Sequence, residues 1–349
     1  MMTRVQVSLR VPGTAPMPEL IALIQDIEAA GFDGVGILDS QLLCRDTFVT
    51  LGLAAARTSR LALFPAVTNP FTRHDSVLAG AVQTVEEVAP GRVKVVIGTG
   101  FTSAHTIGRR AATLAEMRAC ITTLRKLLAG AAVDFGKTSG RLAYAAGRPI
   151  PVLMAASGPK AIELAGEIAD GVMLSVGFHR GIVDAVLGHL AVGARRGGRR
   201  LEDLEIVWAV RVGTAATTDE ARRQARPTVV HQAILSPRAQ WLPHTGLTLP
   251  RFDIPPEVRT IYPDLAHARD WEHAIAATSF VPDEIIGQLC DAFGLVGTAE
   301  YCAQRIIEMA GAGVTNLFVQ AFQTFVGPGP ELRVFRDEVF PRLKAAGYR

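Results

Sequence analysis

The sequence predicts an α/β fold, a (β/α)8 barrel with insertions, and three observations lead to this prediction. Eight short apolar segments alternate with longer amphipathic segments, which is the pattern of parallel βαβ units. The apolar segments are almost continuously hydrophobic, as strands are when helices cover both faces of a parallel sheet. Eight such strands close a barrel, and 349 residues suffice for a barrel with added loops. A doubly wound open sheet shows the same alternation, so the strand count alone does not exclude it.

Each strand is predicted from a short apolar run, and each helix from a longer amphipathic segment between turn-forming residues. The first helix, for example, begins at Pro18 and ends at Gly31. In chain order, the strands are predicted at 5–9, 34–38, 61–67, 92–98, 151–156, 171–176, 204–212 and 315–320. The helices are predicted at 18–31, 46–57, 75–88, 110–129, 159–169, 179–195, 218–235, 282–293 and 331–346.

The whole chain, 1–349, is expected to form one domain with its main insertion at about 236–297. This insertion separates the last two predicted strands and carries the proline-broken stretch "LPHTGLTLPRFDIPPEV". Its segment 236–280 would suit either a cover over a pocket or an interface between copies of the chain. The aromatic side chains behind that expectation are Trp241, His244, Tyr262 and Trp271.

Composition excludes several classes of protein. The net charge of +3, from 36 basic and 33 acidic residues, is too balanced for a nucleic-acid partner. The four cysteines form no CxxC pair, and no apolar run approaches the roughly 18 residues of a membrane span. The eight histidines show no HxH or HExxH spacing, so no metal is expected. We therefore expect a soluble, cytoplasmic protein that acts on a small molecule without nucleic acid or membrane.

In a barrel, the residues that follow the strands form the active site. Here they are mostly small or hydroxyl-bearing, which suits a flat ligand with a phosphate tail better than a metal. Asp39 is the only carboxylate that ends a predicted strand in the first half of the chain. The residues at the strand ends are Arg10, Asp39, Thr68, Asn69, Gly98, Thr99, Gly100, Ser157, Gly158, Ser175, Gly177 and Arg211.

Two glycine-containing turns at these ends each allow two interpretations. The turn Gly98–Gly100 lacks the third glycine of a dinucleotide fingerprint, because position 103 is serine, and it would also suit an ordinary tight turn. The second turn, Ser157-Gly158-Pro159, opens a helix whose N–H groups and dipole favour an anion, with Lys160 adding charge. The alternative is an ordinary helix start capped by Ser157.

Three segments carry a resemblance to a known family. They are "VTNPFTRHDSVLAGAVQTVEEVAPGRVKVVIGTG", "AATLAEMRACITTLRKLL" and "PVLMAASGPKAIELAGEIADGVML". They resemble the bacterial luciferase-like oxidoreductases, and most of all the deazaflavin-dependent branch similar to methylenetetrahydromethanopterin reductases. The resemblance spans nearly the whole chain. It implies a luciferase-like (β/α)8 barrel, a homo-oligomer such as a dimer, and coenzyme F-420 or FMN bound at the C-terminal mouth.

The resemblance also implies roles for residues at the strand ends. Asp39 would approach the deazaflavin ring, and a bulge with a non-prolyl cis peptide at Ala66-Val67 would lie behind the ring. A side chain at Gly98 or Gly100 would collide with the flat cofactor, and Thr99 would hydrogen-bond it. The full set of implied cofactor contacts is Asp39, Ala66, Val67, Thr68, Asn69, Gly98, Thr99, Gly100, Ala156, Ser157, Gly158, Pro159, Lys160, Ala161, Ser175 and Gly177.

Two departures from the family pattern bear on the substrate. The sugar-phosphate dehydrogenases of the superfamily have histidine and glutamate where this chain has Ser40 and Phe101. Removing a hydroxyl proton during hydride transfer needs such a group, so reduction of an imine or activated alkene is expected instead.

Asp39 remains as the catalytic candidate, and Arg109 and Arg110 are expected to begin a helix at the surface. An FMN-dependent monooxygenase with a separate reductase, or a non-catalytic flavin-binding barrel, is the alternative.

Overall fold

A computed structural model describes residues 4–145, 147–262 and 264–349. All eight predicted strands are present within about three residues of their predicted bounds. The short hairpin β5–β6 and the strand β10 were not predicted. The strands are β1 (Gln6–Val11), β2 (Gly34–Ile37), β3 (Ala62–Pro65), β4 (Val95–Ile97), β5 (Val133–Asp134), β6 (Ser139–Gly140), β7 (Val152–Ala156), β8 (Gly171–Leu174), β9 (Glu205–Thr214), β10 (Gly294–Gly297) and β11 (Asn316–Ala321).

The helices follow the predicted order, with three additional ones, α4, α9 and α11, and with the last predicted helix, 331–346, divided into α12 and α13. They are α1 (Met17–Ala29), α2 (Thr47–Arg57), α3 (Asp75–Val88), α4 (Phe101–His105), α5 (Leu114–Leu128), α6 (Pro159–Ile168), α7 (Arg180–Arg196), α8 (Thr218–Val230), α9 (Trp271–Ala277), α10 (Asp283–Phe293), α11 (Ala299–Gly311), α12 (Gly329–Val334) and α13 (Phe340–Ala345). Short 3-10 helices lie at Leu201–Asp203, Pro237–Thr245, Pro256–Thr260 and Leu265–His267, and π-helical turns at His231–Leu235 and Phe335–Val339.

The start of helix α5 differs from the prediction. Helix α5 begins at Leu114, so Arg109 and Arg110 precede it instead of starting it. Thr113 caps this helix, because its side chain accepts from the Glu116 backbone while the Glu116 side chain accepts from the Thr113 backbone. This reciprocal cap fixes the start of α5 four residues later than predicted.

The chain divides into two compact units, and the N-terminal unit comprises Ser8–Leu174 and His189–Val207. Its strands β1, β2 and β3 are paired in parallel, as are β4, β7 and β8. Single bridges from Leu63 to Val93 and from Thr68 to Ile97 connect the third and fourth strands. The strand residues are almost all buried, since helices pack against the sheet.

The C-terminal unit comprises the chain up to Val7, Ser175–Gly188 and Trp208–Arg349. Here β9 is paired in parallel with both β10 and β11. Most of the predicted insertion packs around its own apolar cluster, which includes Trp271, Leu289 and Phe293. Within the described part of the chain, no helix is long and apolar enough to cross a membrane.

Candidate active site

Asp39 follows β2 and is only 3% exposed. Arg73 Nη1 donates to its Oδ2 over 2.6 Å, and Gln41 Nε2 donates to its Oδ1 over 3.0 Å. Arg73 Nη2 also donates to Asp46 Oδ2 over 2.7 Å, and Asp46 caps α2. The predicted catalytic carboxylate is therefore one member of a largely buried ion-pair network. No sequence pattern had indicated Arg73 or Gln41.

The ion pairs keep Arg73 and Asp46 charged. Burial alone would lower the pKa of Arg73, but the charges and hydrogen bonds of Asp39 and Asp46 outweigh it and raise that pKa. Burial alone would raise the pKa of Asp46, but backbone N–H donors of α2 and the Arg73 guanidinium lower it. Asp39 therefore faces a guanidinium that stays protonated, which orients its carboxylate at the strand end.

Three buried polar atoms near the ends of β2 and β3 have no hydrogen-bond partner among the described residues. They are Gln41 Oε1, Thr68 Oγ1 and Thr72 Oγ1. Because Gln41 donates through Nε2 to Asp39, its free end is an acceptor. Leaving a buried polar group unpaired costs about 1–3 kcal/mol, so this region fits an occupant that brings hydrogen-bonding groups of its own.

The peptide between Ala66 and Val67 is cis, which confirms the prediction for the bulge after β3. Beyond it, the buried side chain of Asn69 makes hydrogen bonds within the chain. Its Oδ1 accepts from the N–H groups of Phe71 and Thr72, and its Nδ2 donates to Ser103 Oγ over 3.0 Å. Asn69 thus positions this loop and helix α4.

Packing within the protein explains why Gly98 and Gly100 follow β4. A Cβ atom at position 98 would lie 2.7 Å from Val67 Cγ2, and one at position 100 would lie 2.8 Å from Asn69 Cβ. Gly100 also has φ of +81°, which side chains disfavour. Packing against the loop after β3 therefore requires these glycines, whereas the family resemblance attributed them to a cofactor.

Helix α6 begins without a side-chain cap. Gly158 is its N-cap, so the alternative that Ser157 caps the helix is wrong. Pro159 is the first helical residue, no acidic residue lies in the first turn, and Lys160 is exposed. First-turn N–H groups beside a cation are suited to an oxyanion.

The last two predicted contacts, Ser175 and Gly177, lie in the C-terminal unit. The backbone oxygen of Ser175 accepts from Arg238 Nε over 3.0 Å. Gly177 has φ of +139°, and a Cβ atom there would lie 2.7 Å from Ile182 Cδ1. Local packing thus explains Gly177, and Ser175 is the point where Arg238 of the insertion is anchored.

Arg238 belongs to a group of ionisable side chains that sequence patterns did not reveal. It comprises His231, Arg238, Asp264 and His267 from the insertion and its approach, with Arg211 of β9 nearby. His267 Nδ1 lies 2.8 Å from Asp264 Oδ2. The pKa of His231 is lowered to about 4, mainly by burial and also by the charges of Arg238, His267 and Arg211, while Asp264 opposes them. His231 is therefore neutral at physiological pH.

The tryptophans of the insertion lie in its interior. Trp241 is 1% exposed and Trp271 is 7% exposed, with Trp271 Nε1 donating to the Gln224 backbone oxygen. Tyr262, in contrast, is exposed and lies below the Arg269 guanidinium. Whether the segment covers a pocket or forms an interface stays a prediction.

We expect His231 to make the protein less stable in acid. Its pKa is lower in the folded state than its ordinary value of 6.5, so between pH 6.5 and pH 4 only the unfolded state gains the proton. The free energy of unfolding should therefore fall as pH decreases through this range, by at most about 1.4 kcal/mol per pH unit for one proton. In urea titrations, His231→Gln should flatten this slope, whereas the exposed His273→Gln should not change it. Identical slopes for all three proteins would contradict the assignment.

Comparisons with known proteins give the family and the fold. The family model described as luciferase-like monooxygenase matches residues 1–316. A 5,10-methylenetetrahydromethanopterin reductase from Methanolobus tindarius is 28% identical over 83% of this chain and 86% of its own length. An F-420-dependent glucose-6-phosphate dehydrogenase from Beutenbergia cavernae is 34% identical over 56% of this chain and 63% of its own length.

A solved structure matches over almost the full length. The coenzyme F-420-dependent tetrahydromethanopterin reductase from Methanopyrus kandleri superposes with a TM-score of 0.77, covering 97% of this chain and 99% of that one at 22% identity. This likeness confirms the predicted fold, a luciferase-like (β/α)8 barrel.

Proposed function

Because the chain belongs to the luciferase-like monooxygenase family, we propose that it is an oxidoreductase that uses coenzyme F-420 to reduce a small-molecule imine or activated alkene. The observation that carries this proposal is the sequence likeness, over most of the chain, to a methylenetetrahydromethanopterin reductase. The unpaired polar atoms at the ends of β2 and β3 fit a ligand with hydrogen-bonding groups. The expected homodimer is part of the proposal.

When bound in its reduced form, F-420 would supply the hydride. Gln41 Oε1 would offer it a hydrogen-bond acceptor and Thr68 Oγ1 a hydroxyl, and Asp39, held by Arg73, orients the Gln41 amide. The start of α6, with Lys160, would hold the phosphate. Ala156 completes the proposed contacts of the N-terminal unit, and the contacts expected of Ser175 and Gly177 stay predictions.

The proposed substrate class rests on the residues at two positions. Phe101 begins α4, is 59% exposed and packs edge-on against His105, with ring centroids 4.7 Å apart. The sugar-phosphate dehydrogenases have histidine and glutamate at the positions of Ser40 and Phe101. Neither Ser40 nor Phe101 is a strong base that could remove a hydroxyl proton. Reduction of an electron-poor C=N or C=C bond needs the hydride first and less help from a protein base.

The experiment that tests this function follows the re-oxidation of reduced F-420 with a panel of substrates. Cyclic imines, iminium ions and activated alkenes should be reduced, and simple alcohols and sugar phosphates should not reduce oxidised F-420. Turnover with a sugar phosphate or alcohol alone would contradict the substrate class while leaving the cofactor proposal intact.

We expect Lys160→Ala to weaken F-420 binding by roughly tenfold, because it removes a cation beside the phosphate. A deazaflavin without the phosphate-bearing tail should bind both proteins equally, since it makes no contact at α6. Fluorescence titrations of both ligands measure the two effects, and Lys137→Ala, in the exposed β5–β6 turn, is the matched control. Equal losses for both ligands would exclude Lys160 from a phosphate site.

A further inference from the structure

The guanidinium of Arg238 forms no ion pair with an acidic residue of the described chain. Its Nε donates to the Ser175 backbone oxygen over 3.0 Å, whereas its two Nη groups have no hydrogen-bond partner in the described structure. The side chain is half-buried, and burial lowers its pKa. A half-buried guanidinium whose two Nη groups donate to no group of the protein is suited to bind an anionic acceptor.

Two charged groups of the cluster around Arg238 already have partners of their own. Asp264 is the nearby carboxylate, and it is already bound by His267 at 2.8 Å. Arg211 donates through Nη1 to the backbone oxygen of Ala321 over 2.8 Å and to Thr324 Oγ1 over 3.2 Å, which keeps a second guanidinium in this region. His231, being neutral, does not offset these cations.

The position of Arg238 is fixed by the local fold. It lies at the start of the 3-10 helix Pro237–Thr245, and its backbone N–H donates to the capping hydroxyl of Ser236 over 3.2 Å. This hydrogen bond holds the backbone of Arg238, and the bond from Nε to the Ser175 oxygen holds one edge of its guanidinium. The opposite edge, with both Nη groups, is the part left for a ligand.

We propose that Arg238 binds an oxyanion, a carboxylate or phosphate group, of a small molecule that the protein takes up. The planar guanidinium can present two parallel donors to such a group, which lysine cannot. The oxyanion belongs either to the substrate or to the F-420 tail. Assigning the oxyanion to the F-420 tail rests on the proposed function, whereas the binding site itself does not.

Inorganic phosphate is the first probe. In thermal unfolding at constant ionic strength, phosphate at tens of millimolar should raise the melting temperature of the wild-type protein more than chloride does. Arg238→Met should lose a measurable part of this shift. Arg259→Met, which removes an exposed arginine of the same insertion, should keep all of it. Lys160→Ala removes the cation proposed to bind phosphate at α6, and in that background Arg238→Met should cause the same further loss, which separates the two sites. Should Arg238→Met fail to fold, Arg238→Lys should fold and retain only part of the shift.

F-420 and a deazaflavin without its phosphate-bearing tail identify the source of the oxyanion. A tenfold or greater loss of F-420 affinity in Arg238→Met, with unchanged affinity for the tail-less compound, assigns the oxyanion to the cofactor. Unchanged affinity for both, together with the lost phosphate shift, assigns it to the substrate. A phosphate shift that is equal in the wild type and Arg238→Met, or absent from the wild type, overturns the inference. Failure of the wild type to bind F-420 would instead refute the proposed cofactor and leave the phosphate result standing.

Discussion

Replacing Asp39 with asparagine is expected to lower both the stability and the turnover of the protein. The substitution removes the charge that faces Arg73 at 2.6 Å in a largely buried position. Asparagine keeps one acceptor and Asp46 still binds the guanidinium, so we expect a loss of about 1–3 kcal/mol in the free energy of unfolding. If Asp39 orients the cofactor or moves a proton, turnover should fall by roughly 10²-fold or more.

A double variant separates the two effects. Asp39→Asn combined with Arg73→Gln removes both charges of the pair, so much of the stability should return while turnover stays low. Asp46→Asn is the matched control, because it disturbs the same guanidinium and the cap of α2 without touching Asp39. Recovery of both stability and turnover in the double variant would show that Asp39 serves only as a counter-ion.

Gly98→Ala is the second substitution with a large expected effect. Its methyl group would lie 2.7 Å from Val67 Cγ2 in a buried position, and overpacking of this kind costs about 1–3 kcal/mol. Because Val67 belongs to the proposed ring-binding bulge, the affinity for F-420 should fall as well.

Adding Val67→Ala should relieve this clash and restore much of the stability, which urea titration of the single and double variants would measure. The matched control is Gly52→Ala on α2, where an added Cβ meets nothing within 4 Å and the higher helix propensity of alanine should stabilise the protein slightly. Equal stability of Gly98→Ala and the wild type would contradict the packing explanation for this glycine.

Local patterns predicted the parts of the fold that depend on neighbouring residues. The bounds predicted for α3, 75–88, are those observed, because an amphipathic segment there lies between clear turns. The start of α5 was missed although the T-x-x-E pattern of Thr113 and Glu116 was readable in the sequence. Strand β10 is only four residues long and begins and ends in glycine, so it offered little signal.

The positions of the candidate site at the strand ends were predictable, whereas the contacts between its side chains were not. Turns that follow apolar runs, such as the one before α6, are visible in the sequence. The pairing of Asp39 with Arg73, 34 residues later in the chain, depends on the fold bringing two loops together, as does the grouping of Arg238 with Asp264 and His267. The glycines after β4 were recognised, but their packing partners Val67 and Asn69 could not be.

The central proposal is that the protein uses F-420, and a side-by-side titration of the purified protein with F-420 and FMN tests it most directly. Both ligands share a flat ring and a phosphate, so the comparison isolates recognition of the deazaflavin and its tail. We predict saturable binding of F-420 and clearly weaker binding of FMN. A protein that is purified yellow with one FMN per chain and does not respond to F-420 would contradict the account and favour an FMN-dependent monooxygenase.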